Sequence, residues 1–264
     1  MRVAVLNSGS NGNATLVEED GRALLIDCGI SAKLCLQRTG TLVGDVEFLG
    51  ILVTHEHTDH ISGVGPLARR LRLTAYATEL THRESKARFE GLRTVHVEPY
   101  ETFGIGPFRV TPVPVPHDAA DPTGFHITTG GNGLAAVTDM GCMTDDVDRF
   151  FERSNAVIIE SNHDVDMLMR GQYPAVLKER IIGPLGHMSN SDAGQAIARH
   201  APDVAFLAHL SANNNTPEKA KRTVEGILSE SGVATRVYVT RRDGPTELVD
   251  IPDDIDARRP PRKF

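Results

Sequence analysis

The stretch that decides the fold reads Thr-His-Glu-His-Thr-Asp-His and occupies residues 54–60. It places four potential metal ligands within six positions, namely His55, His57, Asp59 and His60. A hydrophobic run over Phe48–Val53 leads into it and has the length and composition of a buried strand. Imidazole together with carboxylate suits Zn²⁺, Mn²⁺ or Fe²⁺ better than Ca²⁺. The stretch therefore predicts a metal site on a loop at the end of a strand.

Three further ligands are predicted because each follows a strand-like segment. His117 comes after prolines at alternate positions, which hold the backbone extended. Asp139 and His209 directly follow the segments Leu134–Thr138 and Val204–Ala208. Each also has an ordinary explanation, as a polar residue after a strand, a helix cap or a buried histidine. Beside the first stretch, ligation is the better interpretation.

The ligand set predicts a site for two divalent ions, Zn²⁺ or Mn²⁺, with Fe²⁺ as a third candidate. One ion takes His55, His57 and His117. The other takes Asp59, His60 and His209. Asp139 bridges the two, since a carboxylate has two oxygens and can hold two cations about 3.5–4 Å apart. Water shared by the ions is the predicted nucleophile, and Asp59, a catalytic residue in this scheme, orients it.

The composition bounds the class of protein. The chain has 264 residues, of which 40% are hydrophobic, and a formal net charge of −7. No apolar stretch reaches the length of a membrane span and the N-terminus does not resemble a signal peptide, so we expect a cytoplasmic protein with no membrane partner. The three cysteines are scattered and predict no disulfide framework. The acidic balance is unusual for a nucleic-acid binder, but two divalent ions would offset about four charges.

The order of strand-like and helix-like segments predicts two sheets with helices outside both, an α/β (α+β) architecture. In the first half of the chain, strands such as Ala14–Glu18 and Arg22–Asp27 are expected to connect by hairpins. In the second half, strands such as Ala156–Glu160 are expected to alternate with helices. One domain is predicted over residues 1–251, followed by a loose basic tail over residues 252–264.

The chain resembles the metallo-β-lactamase superfamily. Its 54–60 stretch matches that superfamily's first metal motif, and His117, Asp139 and His209 fall where the later ligands do. The resemblance covers nearly the whole chain and implies a four-layer αββα sandwich with a two-metal site between the sheets. More narrowly, the chain is similar to the WalJ/YycJ branch, cytoplasmic bacterial proteins associated with DNA exonuclease activity. The matching segments are residues 6–13, 27–29, 116–118, 121–124, 138–141, 160–164, 186–190 and 208–211.

Departures from other members of the superfamily narrow the chemistry. Lactam-hydrolysing members have a cysteine ligand where this chain has Asp139, and redox di-iron members have a glutamate where it has His57. Roughly seventy residues separate Asp139 from His209, too few for the cap domain that long nucleases of the superfamily insert there. The chain also lacks the Gly/Pro-rich arm with which ribonuclease Z binds tRNA.

His187 and Glu160 are the predicted partners for protonating a leaving group. His187 precedes Ser189 and Asn190, which are good N-cap residues, so it is expected beside a helix N-terminus that favours phosphate. Ribonuclease Z has a similar Gly-His-Ser segment whose histidine serves the leaving group with help from a glutamate. That resemblance implies the same roles for His187 and Glu160; the alternative is that His187 only caps a turn.

Substrate contacts are predicted on two segments near these ligands. The Gly/Asn-rich loop could present amide groups to phosphates or could be only a hairpin turn. The other segment lies around Glu160 and His187, where His163 could contact substrate or orient a loop. The predicted contacts are Ser8, Asn11, Asn13, His163, Ser189 and Asn190.

Three functions fit the sequence. The first is a metal-dependent phosphodiesterase whose substrate is nucleic acid, with a DNA exonuclease as its specific form. The second is a small-molecule hydrolase that cleaves a thioester, a lactone or a cyclic phosphodiester with the same activated water. The third is a metal-loaded binding protein without turnover, which the open ligand set disfavours. The sequence leaves monomer and homodimer open.

Overall fold

The computed structural model describes residues 1–252, and its elements are numbered here along the chain. The basic tail predicted for residues 252–264 therefore lies, from residue 253, outside the described residues. Within residues 1–252 no helix has both the length and the apolar character needed to cross a bilayer; the longest has 14 residues. The cytoplasmic location and the single domain over residues 1–251 stay predictions.

The first sheet has seven strands in the spatial order β14-β1-β2-β3-β4-β5-β6. These are β1 (Arg2–Asn7), β2 (Ala14–Glu19), β3 (Arg22–Ile26), β4 (Glu47–Leu52), β5 (Thr74–Ala77), β6 (Arg93–His96) and β14 (Val249–Asp250). The pairs from β14 to β3 are antiparallel, and those from β3 to β6 are parallel.

The second sheet repeats this plan with the strands in chain order. These are β7 (Phe103–Ile105), β8 (Phe108–Pro114), β9 (Thr123–Thr129), β10 (Asn132–Val137), β11 (Ala156–Glu160), β12 (Val204–Ala208) and β13 (Arg236–Val239). The pairs from β7 to β10 are antiparallel, and those from β10 to β13 are parallel.

Helices cover the outer face of each sheet. The described helices are α1 (Ala32–Val43), α2 (Thr58–Ile61), α3 (Val64–Leu71), α4 (Glu79–Glu84), α5 (Lys86–Phe89), α6 (Asp145–Phe151), α7 (Val165–Arg170), α8 (Ala175–Ile182), α9 (Asn190–His200) and α10 (Pro217–Glu230). One apolar cluster joins the first sheet to α1 and α3, and another joins the second sheet to α6, α9 and α10. The predicted αββα sandwich is confirmed.

The core between the sheets holds the sandwich together. Phe108, Phe125 and Phe206 of the second sheet pack with Leu24 and Leu52 of the first in one buried cluster. Removing one such side chain from water contributes about 1.5–3 kcal/mol to folding. Because both sheets pack on this one cluster, the ends of their strands keep fixed positions relative to one another. The distances between the predicted ligands depend on those positions.

The predicted connectivity was partly right: the hairpin from β2 to β3 and the helical links among β11, β12 and β13 are as expected, but the two kinds of connection are not divided between the halves of the chain. Each sheet contains both kinds of connection: hairpins join β1 to β3 and β7 to β10, while helices join β3 to β6 and β10 to β13. The short strands β5 and β7, of four and three residues, were not predicted. Without β5, the parallel half of the first sheet could not be recognised. The physical reason is that segments this short carry little periodicity.

A buried histidine makes stability depend on pH. His126 in β9 packs against the ring of Phe150, and burial lowers its pKa to about 4. Its folded pKa thus lies below the unfolded value of about 6.5. Its neutral form contributes stability that is fully present above about pH 6.5 and is lost as the pH falls towards about 4.

From about pH 6.5 to about pH 4, we expect the unfolding free energy of the wild type to fall by about 3 kcal/mol more than that of His126→Gln. Denaturant titrations of both proteins across the pH range measure this, and the difference between them cancels the contribution of the other histidines. Parallel stability curves for the two proteins would contradict the assignment.

Candidate metal centre

The predicted ligands lie where several strands end at one edge of the sandwich. The segment after β4 carries the 54–60 stretch, and α2 begins inside it at Thr58. His117 follows β8, Asp139 follows β10, and His209 follows β12. The carboxyl ends of neighbouring parallel strands meet at one sheet edge, which is where ligands bind in open α/β sheets.

The structure brings all seven predicted ligands into overlapping groups. Within each group one ligand atom per residue lies within 4.8 Å of the others. The groups are His55, His57 and His117; Asp59, His60 and His209; and His55, His60 and Asp139. The first two groups are the two triads predicted from the sequence, and the third places Asp139 beside members of both. That these residues bind metal stays a prediction.

Unpartnered polar atoms in the cluster fit a cation. Asp139 Oδ2 lies 3.2 Å from His60 Nε2. Yet Asp139 Oδ2 and His209 Nε2 are both buried and make no hydrogen bond of acceptable geometry within residues 1–252. Buried polar atoms normally have a partner, because an unsatisfied one costs about 1–3 kcal/mol. A bound divalent ion would satisfy both atoms.

Asp27 orients one of the ligands and was not predicted to act here. Its Oδ2 lies 2.7 Å from Nδ1 of the fully buried His60, which leaves Nε2 of that ring for the cluster. The same carboxylate accepts hydrogen bonds from the backbone amide and hydroxyl of Thr54. Carboxylates commonly fix ligating histidines in this way. The sequence signal was present, since Asp27 is the polar residue that ends the strand-like segment Arg22–Asp27 and lies just after β3.

Three of the seven non-glycine residues with positive φ in the described part of the chain lie at the same edge. Asp27, Asp139 and His209 have φ of 59°, 55° and 55°, in the left-handed region that residues other than glycine seldom adopt. Such conformations cost of order 1–3 kcal/mol and persist where surrounding contacts hold them, which is common at functional sites. All three lie just beyond a strand end.

The metal-free cluster holds protons. Burial tends to raise the pKa of Asp139, but the neighbouring His209 and His60 keep that pKa well below its usual range. Burial tends to lower the pKa of His60, but the carboxylates of Asp139 and Asp27 raise it to about 10. A metal ion must displace such protons, so binding should weaken as the pH falls.

Glu160 connects this cluster to His187. Its buried Oε1 lies 2.8 Å from Nδ1 of His187 and 2.8 Å from Nδ1 of His209. Its Oε2 accepts a hydrogen bond from the backbone amide of Met140. Burial tends to lower the pKa of His187, but Glu160 outweighs burial and raises it. The arrangement keeps a proton on an imidazole that is 24% exposed at the edge of the ligand cluster.

The loop between β1 and β2 contributes to the cluster through side chains. The Ser8 hydroxyl is buried and accepts a hydrogen bond from the backbone amide of His209. Asn13 Nδ2 lies 3.0 Å from His60 Nε2 and 3.3 Å from Asp59 Oδ2. Asn11 is exposed and donates to the carbonyl of Arg242. Two of these predicted substrate contacts, Ser8 and Asn13, thus position ligands; their contact with substrate stays a prediction.

The other predicted substrate contacts are buried. Ser189 caps α9 with a capping box that includes Asp192. The Asn190 side chain accepts hydrogen bonds from Ser161 and Asn215, and the backbone of His163 forms an isolated β-bridge with Ser189. The polar side chains of Ser189 and Asn190 thus make their hydrogen bonds within the protein, and this geometry gives no support for their contact with substrate. Substrate contact by Ser189, Asn190 and His163 stays a prediction.

Comparisons with known proteins agree with the fold. A family model described as a β-lactamase superfamily domain matches residues 22–210. Among curated proteins, exodeoxyribonuclease YycJ of Bacillus anthracis is 38% identical, covering 94% of this chain and 98% of the relative. Exodeoxyribonuclease WalJ of Streptococcus pneumoniae is 33% identical, covering 95% and 98%. Among solved structures, the metallo-β-lactamase fold protein YhfI of Bacillus subtilis superposes with a TM-score of 0.72 at 18% identity, covering 93% of this chain and 99% of that one.

Proposed function

Because this chain belongs to the metallo-β-lactamase superfamily, whose fold implies divalent-metal binding, we propose that it is a metal-dependent exodeoxyribonuclease. The observation that carries the proposal is its similarity, over at least 94% of its length, to two proteins named as exodeoxyribonucleases. The ligand cluster and the adjoining pair of Glu160 and His187 support it. No comparable observation favours the small-molecule hydrolase.

We propose that two divalent ions bind here, with Zn²⁺ and Mn²⁺ the leading candidates. Bound there, they supply Lewis acidity, which lowers the pKa of water and neutralises charge on a phosphodiester. One position is formed by His55, His57 and His117. The other is formed by Asp59, His60 and His209. Asp139 lies beside members of both triads and is suited to contact both positions.

The protein's own side chains then have two roles, one towards the attacking water and one towards the departing oxygen. Asp59 accepts a hydrogen bond from the attacking water and aligns it with the phosphorus. His187 is held at Nδ1 by Glu160, which leaves Nε2 to donate a proton to the departing oxygen. Glu160 keeps the imidazole charged until that transfer, because its carboxylate raises the pKa of His187. General acid catalysis of this kind contributes about 10²–10⁴-fold.

A cleavage panel tests the proposal. DNA and RNA labelled at the 5′ or the 3′ end are incubated with metal-free protein to which Mn²⁺ or Zn²⁺ is added. We expect DNA to be degraded from an end to mononucleotides with a metal present and to stay intact with EDTA. DNA left intact by metal-loaded protein, together with turnover of bis(p-nitrophenyl) phosphate, would instead support a small-molecule hydrolase.

A further inference from the structure

A cavity of about 250 Å³ opens beside the ligand cluster, and His187 and His209 are part of its wall. This volume is near the lower end of small-molecule sites, which begin at about 300 Å³. It can hold one nucleoside-sized group. Because His187 lines it, a group that accepts a proton from His187 would occupy this cavity.

Tyr173 is the one phenylalanine, tyrosine or tryptophan among the described residues that line the cavity. It is half-buried, and its hydroxyl accepts a hydrogen bond from Asn213 Nδ2 at 2.9 Å. That bond holds the ring in place before any ligand arrives. Leu177 and Ile181 line the same cavity with apolar side chains. An anchored aromatic ring beside aliphatic side chains is a surface on which a nucleobase stacks, whatever its identity.

The same cavity carries an ion pair, because Arg180 and its partner Asp118 both line it. Arg180 lines it, is largely exposed, and donates from Nε to Asp118 Oδ2 at 2.9 Å. Asp118 Oδ1 in turn lies 3.4 Å from Nε2 of the predicted ligand His117. Arg180 already donates to Asp118 from Nε and Nη2, so a backbone phosphate in the cavity would share the guanidinium with that carboxylate. The wall thus offers the ring of Tyr173 to the base of a nucleotide and the guanidinium of Arg180 to its phosphate.

We propose that this cavity holds the nucleoside that carries the departing oxygen and that the base of this nucleoside stacks on Tyr173. This inference rests on the proposed function. A base in this position has to be out of the duplex stack. Unpaired strand ends therefore enter more easily than paired ones, and Tyr173 is a specificity-determining residue for the nucleotide that carries the departing oxygen.

Intrinsic fluorescence tests the stacking without turnover. The chain has four tyrosines and no tryptophan, so its emission comes from tyrosine alone. We expect deoxyadenosine 5′-monophosphate to quench the emission of Zn²⁺-loaded protein in a saturable way, because a stacked base deactivates the excited ring. Tyr173→Phe should remove that quenching. The matched control Tyr100→Phe, which removes another hydrogen-bonded and exposed tyrosine, should retain it. Absent quenching, or quenching that survives Tyr173→Phe, would overturn the proposal.

Kinetics on end-labelled single-stranded DNA give a second readout. We expect Tyr173→Ala to raise KM about 5- to 150-fold, the range that stacking of one base on an aromatic ring supplies. Tyr173→Phe, which keeps the ring, should restore most of the loss, and Tyr100→Ala should leave KM unchanged. An unchanged KM in Tyr173→Ala would contradict the proposal. If wild-type protein cuts no DNA, the proposed function fails, whereas the fluorescence titration still decides whether Tyr173 binds a nucleotide.

Discussion

Replacing Asp139 by alanine is expected to lower DNA hydrolysis by about three orders of magnitude or more, because bound ions supply several kcal/mol of transition-state stabilisation. Asp139 groups with His55 of one predicted triad and His60 of the other, and its buried Oδ2 makes no hydrogen bond of acceptable geometry within residues 1–252. Metal content should therefore fall together with activity.

Elemental analysis of purified protein and the rate of nucleotide release measure the two effects together. Asp45→Ala is a suitable control, since Asp45 is exposed and lies just before β4, at the end of that strand opposite the cluster. The control should keep full metal content and activity. Full metal content with full activity in Asp139→Ala would rule out a role for this carboxylate in the centre.

Replacing His187 by alanine is expected to lower kcat on DNA by about 10²–10⁴-fold, the usual contribution of a general acid. The effect should depend on the leaving group. A nucleoside hydroxyl needs a proton as it departs, whereas p-nitrophenolate is stable as an anion. Hydrolysis of bis(p-nitrophenyl) phosphate should thus fall by less than about tenfold in the same variant.

Metal analysis separates this role from ligation. His187 lies within 4.8 Å of Asp139, Glu160 and His209, a group that could itself hold an ion. As an acid, it can be lost without loss of metal; as a ligand, it cannot. His96→Ala provides the control, because His96 is exposed and pairs with His82 rather than with the cluster. Equal losses on both substrates, or a drop in metal content, would contradict the general-acid role.

The clustering of the predicted ligands could be expected from the sequence because their spacing is local or tied to strand ends. His55, His57, Asp59 and His60 lie within six positions, so a single loop brings them together whatever the rest of the chain does. His117, Asp139 and His209 were recognisable because a polar residue directly after an apolar strand lies at a sheet edge. Two sheets with outer helices also followed from the segment pattern, and the structure confirms them.

The sequence did not predict features that depend on contacts between distant segments. The hydrogen bonds of Glu160 to His187 and to His209 span 27 and 49 residues, and its role rested on resemblance alone. Tyr173 carried no signal, because nothing in its local sequence says that α8 returns beside His187. Asp27 did carry a local signal, but its role did not follow from that signal, because Asp27 acts through His60, 33 residues away.

The most direct test of a metal-dependent exodeoxyribonuclease is a titration of metal-free protein with Mn²⁺, with mononucleotide release from end-labelled DNA as the readout. We expect no release without metal, a rise that reaches its plateau at two ions bound per chain, and products of one nucleotide from the first time point. Release that is unaffected by EDTA, or DNA that stays intact when both positions are filled, would contradict the account.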